Sequence, residues 1–215
     1  MNIKNIFFDF DGVIAESVSA KTDAFEEIYL PYGKDIAARV VEYHKSHGGV
    51  SRYEKFKYFH KEFLNEVINQ DKVDELAIQF SNLVLDKVIN SEEVTGASYF
   101  IEKYHTKFQS WIITGTPTDE MEIIVKKRAL ENYFLGIHGS PNNKRYWTEY
   151  IIRKYNLQRD EVIFLGDSTT DMDAANFSNI HFALRENDEN KEIFKDYKCH
   201  RFSDFYQLEK ILKII

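Results

Sequence analysis

Residues 3–12 read Ile3-Lys4-Asn5-Ile6-Phe7-Phe8-Asp9-Phe10-Asp11-Gly12, a short apolar run that ends on two aspartates and a glycine. Residues 3–8 carry no internal turn signal and look apolar on both faces, so they read as a buried strand of a parallel sheet. Working outward, similar runs recur only much later. Trp111-Ile112-Ile113 stops at Thr114-Gly115, and Val162-Ile163-Phe164-Leu165 stops at Gly166-Asp167. Ile180 to Leu184 is a fourth, weaker run. Helical patterns over Thr118–Leu130 and Lys144–Tyr155 separate the later runs. Strand alternating with helix predicts an α/β fold, a parallel sheet with helices on both faces.

The stretch from Glu16 to about Ser91 is different, because it holds no strand-like run of comparable quality. Ala24, Phe25, Ile28 and Tyr29 have helical spacing until Pro31 breaks it, and a second helix fits Asp35 to His47, ending at Gly48-Gly49. A third begins at Ser51-Arg52-Tyr53-Glu54, where the spacing predicts a capping box: the Ser51 hydroxyl accepts from the Glu54 amide and the Glu54 side chain reaches back. A fourth spans about Asp71 to Val88. Four helices after the first strand suggest a helical insert, residues 16–91, beside a core of residues 1–15 and 92–215. Thr116-Pro117 reads as an N-cap followed by proline at the first helical position.

Composition narrows the function. The chain has 215 residues, with 28 basic against 35 acidic side chains and a net charge of -7. That balance argues against a nucleic-acid binder relying on bulk electrostatics, though not against a local basic pocket for a small anion. The single cysteine, Cys199, excludes an intramolecular disulfide and a cysteine metal cage. No apolar run approaches the roughly 20 residues of a membrane span. The N-terminus lacks the pattern of a secretory signal. The expectation is a soluble, cytoplasmic protein with no membrane or nucleic-acid partner, as a monomer or homodimer.

In an open parallel sheet, ligands bind beyond the carboxyl ends of the strands. The polar residues there are Asp9, Asp11, Thr114 and Asp167, with Lys144 in the loop that begins Gly139-Ser140-Pro141. Three carboxylates, a hydroxyl and an ammonium suit phosphate chemistry. An ionised carboxylate can attack phosphorus, but a phosphate monoester is a dianion and repels it. A magnesium ion held by carboxylates offsets that repulsion, and a lysine adds positive charge. A hydroxyl and free backbone amides hold the remaining oxygens. A second acid two residues along can protonate the leaving oxygen and then activate water, provided burial or nearby like charge raises its proton affinity.

This constellation resembles the haloacid dehalogenase-like hydrolase superfamily, in its phosphatase branch with a helical cap inserted after the first motif (phosphoglycolate phosphatases and beta-phosphoglucomutase-like enzymes). The four motifs are Asp9-Phe10-Asp11-Gly12-Val13, Ile112-Ile113-Thr114-Gly115, Lys144 after Gly-Ser-Pro, and Gly166-Asp167-Ser168-Thr169-Thr170-Asp171. The resemblance implies a Rossmann-like doubly wound sheet with a small all-helical cap. It implies a magnesium-dependent phosphatase acting on a small phosphorylated metabolite, such as a sugar phosphate or a phosphoglycolate-like acid. By position, Asp9 would be the nucleophile and Asp11 the general acid and then base, with its backbone carbonyl on the metal. Thr114, with Gly115 and nearby amides, would bind the phosphoryl group, and Lys144 would balance charge. Asp9 and Asp167 would hold magnesium directly and Asp171 through water. An acid at position 11 points to phosphoesters, since dehalogenases lack one there and phosphonate-cleaving relatives carry a small residue.

Alternatives stand beside several of these residues. Thr114 also suits a turn cap, Lys126, Lys127 and Arg145 lie near Lys144, and Asp173 competes with Asp171. Gly48-Gly49-Val50-Ser51-Arg52 is similar to a cap segment of sugar phosphomutases in which the arginine meets substrate phosphate; Arg52 is equally a solvated first-turn residue. Lys21 stands where mutases and many related phosphatases show histidine, and is either a substrate-binding cation or surface charge. The rival readings are a phosphomutase on the same scaffold and a non-enzymatic phospho-aspartate receiver module.

Overall fold

The computed structural model describes residues 2–213; Met1 and the last two positions of the expected core, 214 and 215, lie outside the described residues. Strand β1, Asn5–Phe8, is wholly buried. It lies inside a six-stranded sheet with β2 (Gln109–Pro117), β3 (Ile137–Ser140), β4 (Val162–Gly166), β5 (His181–Arg185) and β6 (His200–Phe202). The spatial order is β3-β2-β1-β4-β5-β6, and every pairing is parallel. The register sets Phe7 between Trp111 and Phe164.

The run Ile6-Phe7-Phe8 forms a central strand because its side chains feed two apolar layers, as the period of two demands. Phe7 joins Trp111, Ile113 and Phe164 on one face, its ring meeting the last two aromatics edge-on at 5.6 and 6.2 Å. Ile6 and Phe8 join the larger core on the other face. Each fully buried phenylalanine contributes about 2 kcal/mol by area.

Five α-helices without an intervening strand run between β1 and β2, and the first four fall in the expected insert: α1 (Val18–Tyr29), α2 (Lys34–Ser46), α3 (Arg52–Phe63) and α4 (Gln70–Ile89). Phe25 of α1 centres their packing, with the rings of Phe56, Phe59 and Phe80 at 5.6, 5.7 and 4.4 Å. The chain leaves and returns side by side, Glu16 N donating to Glu92 O at 2.9 Å and Val94 N to Ile14 O at 3.0 Å. Helices α5 (Ala97–Tyr104), α6 (Thr118–Lys127), α7 (Lys144–Lys154), α8 (Thr169–Phe177) and α9 (Phe205–Ile211) complete the order.

Three local expectations are corrected. Strand β2 does not stop at Thr114; Pro117 still pairs with Ser140 across a register irregularity, so the strand carries Thr116 with it. Thr116 is therefore not an N-cap, and Thr118, not Pro117, opens α6. Ser51 does cap α3, but it accepts from the Tyr53 amide at 3.4 Å instead of the Glu54 amide.

Candidate active site

The carboxyl edge of the sheet gathers the acidic residues. Asp9 continues β1, its amide donating to Leu165 O at 2.9 Å, and its Oδ1 accepts from the Phe10 amide at 2.7 Å. Its other oxygen lies 2.7 Å from Lys144 Nζ. Lys144 arrives there because Asn143 caps α7, accepting from the Tyr146 amide at 2.9 Å, which makes Lys144 the first helical residue. The same ammonium donates to Asp171 Oδ1 at 2.6 Å. Asp171 Oδ2 closes a capping box at the start of α8, accepting from Ser168 N at 3.1 Å and Ser168 Oγ at 2.6 Å. Asp171 thus fixes both Lys144 and the fourth-motif turn, whereas Asp173 is bonded outward to Arg145.

Asp11 has its own shell. Ser17 Oγ donates to Oδ1 at 2.6 Å, Lys21 Nζ to Oδ2 at 2.5 Å and Thr116 Oγ1 to Oδ2 at 3.3 Å. Lys21 also donates to Thr116 Oγ1 at 2.6 Å. Thr114 is buried, and its hydroxyl accepts from the Thr116 amide at 3.2 Å. Asp167 packs directly on Gly12, where φ is +76° and a Cβ would lie 2.1 Å from Asp167 Oδ2. Only glycine admits both the left-handed turn and the carboxylate. Asn190 Nδ2 secures the Asp167 backbone, donating to its carbonyl at 2.8 Å.

The structure therefore brings Asp9, Asp11, Lys21, Thr116, Lys144, Asp167 and Asp171 together. The turn after α2 closes over them. A Cβ on Gly115 would come within 2.6 Å of Gly49 O, one on Gly49 within 2.0 Å of Thr170 Oγ1, and Thr170 Oγ1 donates to Gly48 O at 3.3 Å. Arg52 lines the same cavity but is not free. Its guanidinium grips Glu120 of α6 at 2.8 and 2.6 Å, donates to Ser81 at 2.7 Å and lies 4.5 Å from the centroid of Phe80. It is 4% exposed, which removes the solvated-residue alternative. Lys21 is likewise engaged, so it is not surface charge. Removing Glu120 leaves a buried guanidinium unpaired, which costs about 3 kcal/mol. Glu120→Ala should accordingly lower the free energy of urea unfolding by about that amount. An unchanged midpoint would show the pair to be structurally idle.

Thr116, Ser17, Ser168 and Asn190 were given no site role from the sequence, Thr116 being read as an N-cap and Ser168 only as part of the fourth motif. The first two sit close to Asp11 in the chain or on the extended β2. Asn190 comes from the 187–190 turn, and no motif marks it.

Electrostatically the cluster holds too much negative charge. Four carboxylates face the two ammonium groups of Lys144 and Lys21, an excess of two charges when all are ionised. Burial pushes the Asp9 carboxyl up to about 7; Lys144 opposes this, and Asp171 and Asp11 reinforce it. Asp167 is driven well above the usual carboxylate range by burial, Asp9 and Asp171. Burial disfavours the Lys144 ammonium, but Asp171 and Asp9 hold it firmly charged. One ammonium divided between two carboxylates leaves Asp9 unsatisfied. Asp11 corrects an expectation: burial raises it, but Lys21 and Ser17 outweigh burial and hold it below the usual range, so the raised proton affinity expected of the acid is not found in the free chain. Oxygen atoms of Asp9, Asp167 and Asp171 lie within 4.8 Å of one another. All-oxygen donors with two surplus negative charges fit a hard divalent cation.

A family model described as haloacid dehalogenase-like hydrolase matches residues 6–184. No curated protein matches at a significant level. Solved structures do. A predicted phosphoglycolate phosphatase from Haemophilus somnus 129pt is 17% identical, with a TM-score of 0.74 over 98% of both chains. A predicted phosphatase from Clostridium acetobutylicum is 15% identical, with a TM-score of 0.75 over 100% of both. A Bacillus subtilis protein assigned as the HAD-hydrolase YfnB, bound to magnesium, is 15% identical with a TM-score of 0.70, covering 99% of this chain and 100% of its own. At these identities the structures speak for the fold, and the family model covers most of the chain. Together with four motifs meeting at one sheet edge, this establishes that the chain belongs to the haloacid dehalogenase-like hydrolase family.

Proposed function

We propose that the protein is a magnesium-dependent phosphatase of a small phosphorylated metabolite, working through a phosphoryl group carried on Asp9. The observation that carries this reading is the buried pair of acids two residues apart, each with its own lysine: Asp9 with Lys144, Asp11 with Lys21. Asp9 and Asp167 would hold the ion, with the Asp11 carbonyl beside them and Asp171 bracing the set. Bound magnesium would neutralise charge shared by Asp9 and the phosphoryl oxygens.

Asp9 then attacks phosphorus, forming an O–P bond while the ester P–O bond breaks. Lys144 holds Asp9 in line and offsets the incoming negative charge. Asp11 gives a proton to the departing alkoxide. Lys21 and Ser17 hold Asp11 below the usual carboxylate range in the free chain, and the arriving phosphate dianion would raise its proton affinity so that it binds the proton it passes on. In the second half Asp11 takes a proton from water, whose oxygen attacks the phosphorus on Asp9. Phosphate leaves, and the Asp9 carboxylate is restored.

Residues 16–91 would serve as the cap that closes the site, hinged where residues 14–16 pair with 92–94. A mutase reading gains nothing from the structure's arginine, because Glu120 occupies Arg52. A receiver module needs no second acid and no four-helix insert.

The test is phosphate release from a broad panel of phosphorylated metabolites, with and without magnesium. Chelation should abolish release, and added magnesium should restore it. Equal release in excess chelator would overturn the metal assignment, and silence across the panel in folded protein would overturn the phosphatase reading.

A further inference from the structure

Among the described residues, the buried lysines and arginines other than Lys55 come with carboxylates, as does the partly buried Lys21 beside the site. Lys144 has Asp9 and Asp171, Lys21 has Asp11, Arg52 has Glu120 and Arg185 has Glu16. Lys55 of α3 is the exception. It is 2% exposed, yet no carboxylate among the described residues lies within ion-pairing distance. Its ammonium contacts His44 Nδ1 at 2.7 Å and lies 5.5 Å from the centroid of Phe25. A buried charge without a counter-charge is costly. Lys55 lines the same cavity as Asp9 and Asp11, as does His44.

His44 sharpens the point. If Lys55 donates to Nδ1, the ring proton of neutral His44 sits on Nε2. That nitrogen is buried and has no partner among the described residues. Lys55 and His44 together thus present hydrogen-bond donors and no acceptor. The neighbouring cation Arg52, one turn earlier on α3, is already neutralised by Glu120. Lys45 lines the cavity too but is exposed, so the buried positive group without a counter-charge there is Lys55.

We infer that Lys55, held in place by His44, is the subsite for a second anionic group of the substrate, a carboxylate or a second phosphate, distinct from the phosphoryl group presented to Asp9. The inference rests on the phosphatase reading and narrows its substrate class to doubly anionic metabolites. An arriving anion supplies the counter-charge that the fold withholds. In agreement, burial, with Lys21 and Lys144 adding repulsion, lowers the Lys55 ammonium to about 7 in the free chain.

The test uses matched esters of two to four carbons: ω-phosphooxy carboxylates, α,ω-alkanediol bisphosphates and ω-hydroxyalkyl phosphates. Wild-type protein with magnesium should show kcat/KM at least about tenfold higher for an anionic member than for the hydroxyalkyl member of the same length, the size of a charge-assisted hydrogen bond. The better of the two anionic series names the group. In Lys55→Met, which places an apolar chain in an apolar wall, that ratio should fall to about one. A ratio within one protein is insensitive to a purely structural defect. A wild-type ratio near one, with both esters turned over, overturns the inference and leaves the phosphatase reading standing. So does a ratio that survives in Lys55→Met. If no ester is hydrolysed, the phosphatase reading has failed, and calorimetric binding of the same esters decides the subsite. Tighter binding of the anionic member in wild-type but not in Lys55→Met supports it, and equal binding overturns it.

Discussion

Asp9→Asn protein is expected to release no measurable phosphate from any ester that the wild-type protein hydrolyses, a loss of roughly 10⁴-fold or more, as for removal of other enzymic nucleophiles. The substitution changes one oxygen to nitrogen and keeps the side chain's shape. The Phe10 amide can still donate to the remaining oxygen. The fold should survive it. Burial pushes the Asp9 carboxyl up to about 7, against Lys144, so the fold resists the charge that the variant deletes. A cluster with two surplus negative charges becomes less crowded when one is removed. Unfolding in urea should therefore show a midpoint equal to or above that of wild type, while activity vanishes. That combination separates a chemical role from a structural one. Full activity of Asp9→Asn across the panel would sink the mechanism, and a collapsed fold would show that Asp9 is needed to anchor Lys144.

The parts of this protein that were legible in the sequence are those where a short pattern carries its own physics. Ile6-Phe7-Phe8 is apolar on both faces, and that is enough to place it inside a parallel sheet. Gly166-Asp167 closes β4 on a polar group and Ile113-Thr114 turns β2 polar before its end, and in a parallel sheet all such carboxyl ends share an edge. Strands β3 and β6 were not legible. Ile137-His138-Gly139-Ser140 and His200-Arg201-Phe202 are short, polar and broken by glycine or charge. They are strands because β2 and β5 offer them a ladder, a tertiary cause with no local signal. The extension of β2 to Pro117 has the same origin, and it is what delivers Thr116 to Asp11.

Partner identity was the other limit. Arg52 and Lys21 stand out as cations in the chain, but what each faces depends on the approach of distant segments. Glu120 meets Arg52 from 68 positions away, and Thr116 meets Lys21 from 95. Spacing along one helix cannot report either. Lys55 was not visible at all, because an unpartnered lysine reads like any solvated one until its burial is known. The catalytic end of the site is written in local motifs, whereas the recognition end is assembled by packing.

Asp11→Asn tests the division of labour between the two lysine–acid pairs, and its effect should depend on the substrate. For alkyl phosphates the leaving alkoxide needs a proton, and loss of the acid should cost about 10²–10⁴-fold in the first step. For an aryl ester such as p-nitrophenyl phosphate the phenolate leaves unaided, so this cost should nearly disappear. The second step also loses its base, because the amide cannot take a proton from water. The phosphoryl group should then remain on Asp9. The variant should give one burst of p-nitrophenolate per chain, followed by slow turnover, with a phosphorylated aspartate recoverable after acid quench. Structure need not suffer: the amide oxygen can still accept from Lys21 or Ser17, which hold the carboxylate at 2.5 and 2.6 Å. Losing the charge does leave the Lys21 ammonium with Thr116 as its remaining strong partner, at 2.6 Å. A modest drop in unfolding free energy is thus expected alongside the burst. Equal losses on alkyl and aryl esters, with no trapped phosphoryl group, would show that Asp11 moves no proton and only shapes the pocket. Lys21 would then have to be the acid, and Lys21→Met would be the variant that separates the two ester classes.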